Sequence, residues 1–295
     1  MRRLILPAAI LALFLLGLFL ILTRPTQLGP DALRGLEGDA GRGATVFLAA
    51  GCGSCHMAPG ATEEARLILS GGQRFASPFG TFLAPNISPS EQGIEKWSAR
   101  DLANALMLGT GRDGAHLYPA LPYASYSKMM MQDVVDLHAY LMTLPPDATP
   151  NQPHELAFPF NIRTSLGGWK MLFLRDDWVL EGDLSPQEVR GRYLVEALGH
   201  CGECHTPRNV LGGMQRGRWL AGAPDPSGTG TIPNITPAKL GWSVDEIAYY
   251  LESGFTPDYD SVGGHMAHIV TNFSQLPAED RAAVAAYLKR VPAAE

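Results

Sequence analysis

The chain has no basic patch. Its net charge is −6 at pH 7, and no segment gathers lysine and arginine as a nucleic-acid surface requires, which excludes that class of partner. An acidic surface instead favours a basic docking partner. Charged residues are sparse at 18%, yet hydrophobic residues reach 46%, a balance that excludes a disordered polymer. No stretch shows a strand pattern of any length. Cysteine is scarce too: there are four, and none is left over once they are paired by sequence. What the chain does hold is glycine and proline, 32 and 23 of them in 295 residues, which implies turn-rich loops between helices. The length suits roughly two compact domains of about 100–150 residues each, plus extras.

Only one long hydrophobic run occurs. From Leu4 to Leu22 the chain is apolar, interrupted by Pro7 alone. At about 1.5 Å per residue it nearly spans a hydrocarbon core of about 30 Å. A cleavable leader has an apolar region of about 7–15 residues and a small-residue cleavage site. This run is longer, and Thr23-Arg24-Pro25-Thr26-Gln27 offers no Ala-x-Ala pattern. Residues 1–25 therefore read as an uncleaved signal anchor, with a cleaved signal as the alternative. Arg2 and Arg3 favour an N-terminus on the inner side, which places everything after residue 25 outside the cytoplasm, facing the periplasm from a bacterial inner membrane.

The four cysteines form two motifs, Cys52-Gly53-Ser54-Cys55-His56 and Cys201-Gly202-Glu203-Cys204-His205. Cys-x-x-Cys-His is the attachment pattern of c-type haem. Two thiols add to the two vinyl groups of one porphyrin, and the adjacent histidine is held under the iron. One Cys₄ zinc site, two redox dithiols or two structural disulfides would use the same cysteines. None of these requires a histidine after both pairs. Two covalently bound haem c groups follow, on Cys52, Cys55 and His56 and on Cys201, Cys204 and His205.

The chain also repeats itself with a period near 147. Cys52 matches Cys201, Pro85-Asn86-Ile87-Ser88-Pro89 matches Pro233-Asn234-Ile235-Thr236-Pro237, Trp97-Ser98 matches Trp242-Ser243, and Ala139-Tyr140-Leu141 matches Ala286-Tyr287-Leu288. The expected fold is all-α: an N-terminal transmembrane helix, then tandem cytochrome c-like domains at 36–146 and 185–293, joined by a connector at 147–184. Each domain reads as helix, haem motif, long loop, helix, ligand loop, helix. Helix starts are signalled at Ser98, Ser185-Pro186 and Ser243, each followed by acidic residues. The last helices fall at about 132–143 and 277–290. The Pro-Asn-Ile-x-Pro segment reads as a stiff loop against the haem edge, with its asparagine a candidate partner for a propionate. The connector begins extended and then turns too apolar for a free linker, which points to packing, a membrane surface or a partner.

An electron-transfer haem takes a second axial ligand, and a methionine thioether raises its potential. Met266, in Gly263-Gly264-His265-Met266-Ala267-His268, stands before the last helix and is the candidate for the second haem, with His265 and His268 as alternatives. The first copy has no methionine in the matching loop, His116-Leu117-Tyr118-Pro119-Ala120-Leu121-Pro122-Tyr123. Met129 is the candidate there, with His116, Met130, Met131 or an open site as alternatives. Its alignment with Leu276 also gives Met129 a purely hydrophobic reading.

These segments, with Phe158-Pro159-Phe160-Asn161-Ile162-Arg163, Trp219-Leu220-Ala221-Gly222 and Gly199–Asn209, resemble the cytochrome c subunits of membrane-bound periplasmic dehydrogenases acting on alcohols, gluconate and related sugars or aldehydes. The resemblance covers nearly all of 40–290. It implies a non-catalytic subunit that takes electrons from a dehydrogenase and delivers them to quinone, a soluble cytochrome or a terminal oxidase. Members of that family usually carry three haems, a C-terminal membrane element, and often methionine where Leu121 stands; this chain departs on all three. A haem enzyme, such as a peroxidase or sulfur-compound oxidase with an open first site, is the competing expectation.

Overall fold

A computed structural model describes residues 2–226, 228 and 230–294. The helices are α1 (Arg2–Leu22), α2 (Ala40–Ala49), α3 (Cys52–His56), α4 (Ala99–Leu108), α5 (Tyr123–Tyr126), α6 (Met131–Leu141), α7 (Leu166–Phe173), α8 (Pro186–Arg192), α9 (Gly202–His205), α10 (Val244–Ser253), α11 (Gly264–Phe273) and α12 (Ala278–Arg290). A π-helical segment, Tyr193–Leu198, continues α8. The expected caps are present. Ser98, Ser185 and Ser243 each accept from the backbone three residues on, while Asp101, Glu188 and Glu246 reach back to the cap N–H. Each box satisfies orphan donors at both ends of the first turn.

The reading that saw no strands needs correction. β1 (Arg74–Ser77) and β2 (Gly80–Leu83) form a hairpin extended by β3 (Glu155–Leu156), and β4 (Ala223–Pro224) pairs with β5 (Thr231–Ile232). These strands are too short for alternation to register over a window of the sequence. β3 belongs to the connector, so the third strand ties the connector to the first half.

In each half the first helix crosses the last, α2 against α6 and α8 against α12. A glycine makes each crossing close. A Cβ on Gly43 would lie 2.0 Å from the Asp136 carbonyl oxygen, and one on Gly191 would lie 2.0 Å from that of Ala283. The matched tyrosines back these contacts: their Cβ atoms, on Tyr140 and Tyr287, would stand 2.8 and 2.7 Å away. A fork from arginine locks each pair: Arg42 donates to the buried Asp136 carboxylate, and Arg190 to Asp280. Val134, Leu137 and Leu141 of α6 are buried as their spacing predicts, and His138 Nε2 bonds to the Trp97 carbonyl at 2.8 Å.

Candidate haem sites

Both Cys-x-x-Cys-His motifs form a single helical turn, α3 and α9. One turn brings its two thiols and its histidine to one side, the arrangement one porphyrin requires. The turn after His56 folds back: Gly71 N–H donates to the His56 carbonyl at 2.7 Å, and Gly222 N–H does the same for His205. Both glycines hold positive φ, 73° and 83°. A Cβ there would collide with the backbone of Pro85 and of Asn234 respectively, so the close approach requires glycine.

That approach delivers an acceptor to each imidazole. His56 Nδ1 bonds to the Pro85 carbonyl at 2.8 Å, and His205 Nδ1 bonds to the Pro233 carbonyl at 2.8 Å. Nδ1 is thereby the donor, which leaves Nε2 with a free lone pair for a metal. Burial pushes both imidazoles below the ordinary histidine value, against the pull of the proline carbonyl. They stay neutral near pH 7, as a ligand must. The proline carbonyls are candidate functional groups that sequence reasoning missed. Their signal was the repeated Pro-Asn-Ile-x-Pro at nearly constant distance after each histidine.

The asparagine of that segment, read as a candidate partner for a propionate, bonds to the chain's own backbone. Asn86 Nδ2 donates to the carbonyls of Asp147 and Thr149, while its Oδ1 accepts from Ser88. Asn234 repeats this, donating to Ala294 and accepting from Thr236. Both amides clamp the loop to the chain that follows the last helix, Asn86 with two donated bonds and Asn234 with one.

All four cysteines are free thiols. Among the described residues no cluster of three or more Cys, His, Asp or Glu side chains could hold a metal ion, so a shared Cys₄ zinc site is not assembled. Burial pushes the Cys52 and Cys201 thiols up to about 12. Cys55 is pushed up to about 11, by burial first and then by Cys204 of the other motif. The two motifs therefore stand near each other. Paired free thiols in one turn, each beside a neutral histidine whose Nε2 is unclaimed, fit covalently bound haem c.

Part of the contact between halves comes from the motifs themselves and nearly repeats about a pseudo-twofold; beside it, the Tyr193 hydroxyl donates to Asp133 and accepts from the Met130 N–H. Asn272 Nδ2 donates to Ser54 Oγ inside the first motif at 3.0 Å. Ser125 Oγ donates to Glu203 inside the second at 3.0 Å. The residue before each motif has positive φ, 63° at Gly51 and 39° at His200. The His200 ring meets Tyr126 edge-on, 5.5 Å between centroids, and the Tyr126 hydroxyl donates to the Ala50 carbonyl.

The candidate second ligands are placed differently. Met266 is half-buried in the first turn of α11, while His265 beside it is exposed, its ring 6.1 Å from Phe75. Met129 is buried in the core before α6. Its N–H donates to the Tyr126 carbonyl, as that of Leu276 donates to Phe273, so the two residues are structural equivalents. Met130 is 52% exposed and Met131 opens α6. His116 is buried with Nε2 bonded to the Thr23 carbonyl at 2.8 Å. Leu117 N–H donates to Gly109 as Val262 N–H donates to Gly254; Leu121 follows that contact by four residues, as Met266 does, but counted back from Met129 and Leu276 it falls on His268, because the segment in the second half is two residues longer.

Residues 40–145 match the cytochrome c family. Across the full length of both chains, the sequence is 58% identical to a diheme cytochrome c-type protein of Cereibacter sphaeroides. It is 38% identical to the fructose dehydrogenase cytochrome subunit of Gluconobacter japonicus, over 85% of this chain and 52% of that one. It is 32% identical to the gluconate 2-dehydrogenase cytochrome c subunit of Pantoea cypripedii, over 85% and 59%. The chain thus spans little more than half the length of these dehydrogenase subunits.

Proposed function

The chain belongs to the cytochrome c family, and we propose that it holds two haem c groups in tandem domains, 36–146 and 185–293, and passes electrons from a periplasmic dehydrogenase towards the respiratory chain. A bound haem supplies an iron that exchanges one electron between its ferric and ferrous forms. Cys52 and Cys55 would hold the first group and Cys201 and Cys204 the second. His56 and His205 would ligate from one side, each ring fixed by its proline carbonyl so that geometry changes little with oxidation state. Met266 would complete the second site, where a thioether favours the reduced form. The observation that carries this reading is the pair of motifs facing each other, each with a neutral histidine aimed by a backbone acceptor.

A catalytic role is not part of the proposal. The relatives named as dehydrogenase cytochrome subunits support a separate dehydrogenase as donor. Quinone, a soluble cytochrome or a terminal oxidase is the proposed acceptor. α1 would anchor the chain in the inner membrane, with the domains in the periplasm; its stretch Ile5–Leu22 is long and apolar enough to cross a bilayer.

One observation favours a second reading at the first site. Met129 occupies the hydrophobic place of Leu276, and the His116 ring is tied by Nε2 to Thr23 at the end of α1 with its Nδ1 unpartnered, so the second reading is the case in which neither side chain reaches the first haem. The first iron would then keep an accessible face. The experiment is to mature the full chain, weigh it, and titrate it. Two added haem masses and reversible one-electron waves are expected. A bare polypeptide from a host with working haem attachment would overturn the proposal. Cyanide binding to one haem of the two would establish the second reading.

A further inference from the structure

We infer that α7 and the loops beside it rest on the bilayer surface, making the connector a membrane-contacting face. The inference deepens the proposed anchoring by α1 and rests on it.

α1 does not leave the folded part on a free tether. Thr23, directly after it, is buried, its carbonyl held by His116 Nε2 at 2.8 Å. A Cβ on Gly167 would lie 2.2 Å from that same carbonyl oxygen, and one on Gly168 would lie 3.1 Å from the Phe19 ring. Two adjacent glycines thus let α7 press against the end of α1. Phe19 is inside the apolar stretch Ile5–Leu22, less than one turn from its end, about 5 Å along the axis. An element that touches Phe19 sits at the level where acyl chains give way to headgroups. Interfacial helices lie at that depth, about 5–10 Å into the boundary.

The outward side of this region is apolar. Met171 and Leu172 of α7 are 65% and 59% exposed, and Phe158 is 78% exposed. Phe160 is exposed nearby, its carbonyl accepting from Tyr118. Trp169 Nε1 donates to the Leu211 carbonyl at 2.9 Å, which brings exposed Leu211 and Val210 to the same region. Exposed apolar groups gathered in this way mark an interaction surface. Continuity with α1 selects lipid as the occupant, because the patch adjoins the one element that would itself be embedded. Aromatic side chains are the usual residents of that zone.

The test uses the full haem-loaded chain in phosphatidylcholine nanodiscs containing a lipid with a diazirine on its acyl chain. After illumination and digestion, adducts are mapped by mass spectrometry. Adducts are expected in α1 and also within 158–172. Adducts confined to α1 would overturn the inference and leave the anchor standing. Adducts in neither would remove the anchor reading, and the inference with it. In a Met171→Asp, Leu172→Asp variant, loss of adducts from 166–173 is expected, with α1 labelling and haem absorbance unchanged. Undiminished labelling of that segment would mean that the probe reaches it through solution, and would overturn the inference.

Discussion

Gly43→Ala tests the helix crossing on which each proposed haem pocket rests. Alanine at a helix interior normally gains about 1 kcal/mol over glycine, so propensity predicts stabilisation. Packing predicts the reverse. The new Cβ would lie 2.0 Å from the Asp136 oxygen, 2.6 Å from its carbonyl carbon and 2.8 Å from Tyr140 Cβ. Carbon contacts are optimal at about 3.5–4.0 Å, and a gap of about 0.5–1 Å already forfeits a quarter to a half of the attraction. The neighbour is backbone and cannot swing aside, so α2 must retreat from α6 by roughly 1 Å, loosening Val46 and Phe47 against Leu137 and Leu141. Overpacking of this kind costs about 1–3 kcal/mol. Backbone collision places this case at or above the upper end, leaving a net loss of about 2 kcal/mol after the propensity gain. For a domain of about 110 residues that lowers the melting midpoint by about 9 °C. The assay is thermal unfolding of the haem-loaded chain, followed by helical dichroism and haem absorbance. Midpoints are compared without assuming two states, because a chain with bound cofactors does not satisfy that assumption. Gly191→Ala should behave alike, since its Cβ would meet the Ala283 oxygen at the same 2.0 Å. Gly41→Ala is the control on the same helix, where the sole neighbour is the Asp39 side chain at 3.1 Å. A Gly43→Ala midpoint at or above that of Gly41→Ala would refute the reasoning.

The other predictions concern charge, ligation and the contact between halves. Burial alone would raise the Asp136 carboxyl, but hydrogen bonds from Arg42, the Asp39 N–H and Gln132 outweigh it and hold it below the ordinary range. A carboxyl depressed in the folded state adds stability above its unfolded pKa, and that stability is lost as pH falls through the folded value. Asp136→Asn should therefore lower the midpoint at neutral pH and flatten its fall below about pH 4; an unchanged acid profile would count against this. Met266→His should exchange the thioether signature of one haem for a bis-histidine spectrum and lower its potential, read by redox titration; an unaltered second wave would remove Met266 as ligand. Met129→Leu should leave the haem spectrum unchanged and cost less than about 1.5 kcal/mol, as volume-conserving swaps do; a lost low-spin band would restore Met129 as the first ligand. Ser125→Ala with Asn272→Ala removes both side-chain bonds to the motifs across the interface and should slow equilibration between haems measured after flash reduction, with each potential nearly unmoved. An unchanged rate would show that the halves are held by other contacts.

Much of this structure was legible because its signals are local. Ser98, Ser185 and Ser243 announced helix starts, since a cap needs only the residue three positions on. The two Cys-x-x-Cys-His strings were equally visible, being five residues long, and each forms one helical turn. What could not be read depends on residues that meet only after folding. Ala139-Tyr140-Leu141 was visible as a repeated string, yet its purpose, placing Tyr140 behind Gly43, exists only once α2 crosses α6. Pro85 looked like a loop stiffener, because the acceptor for His56 is its carbonyl, which every residue carries. The partners of Asn86 were hidden for the opposite reason: its amide advertised a polar ligand, whereas Asp147 and Thr149 lie about sixty residues on.

The same distinction explains why the interface between halves carries so much of the functional argument. A duplicated chain gives each half the same elements, so a contact made by one half has a counterpart in the other wherever a near-twofold relates them. Asn272 on Ser54 and Ser125 on Glu203 are one such pair, and Gly51 and His200 are another. Because the contacted positions lie inside or next to the haem motifs, the operation that joins the halves also brings the two sites together. The partners are not identical, and each difference has a consequence. Glu203 puts a carboxylate inside the second motif, where Ser125 and Arg208 both bond to it, whereas Ser54, which Asn272 reaches, brings no charge to the first motif. The two sites share a backbone frame and differ in the electrostatics there. A carboxylate favours the ferric iron while the Met266 thioether favours the ferrous one, so replacing Glu203 by glutamine or serine should raise the second potential and widen its separation from the first. A separation between the two redox waves that stays fixed in Glu203→Gln would place the asymmetry with the axial ligands alone.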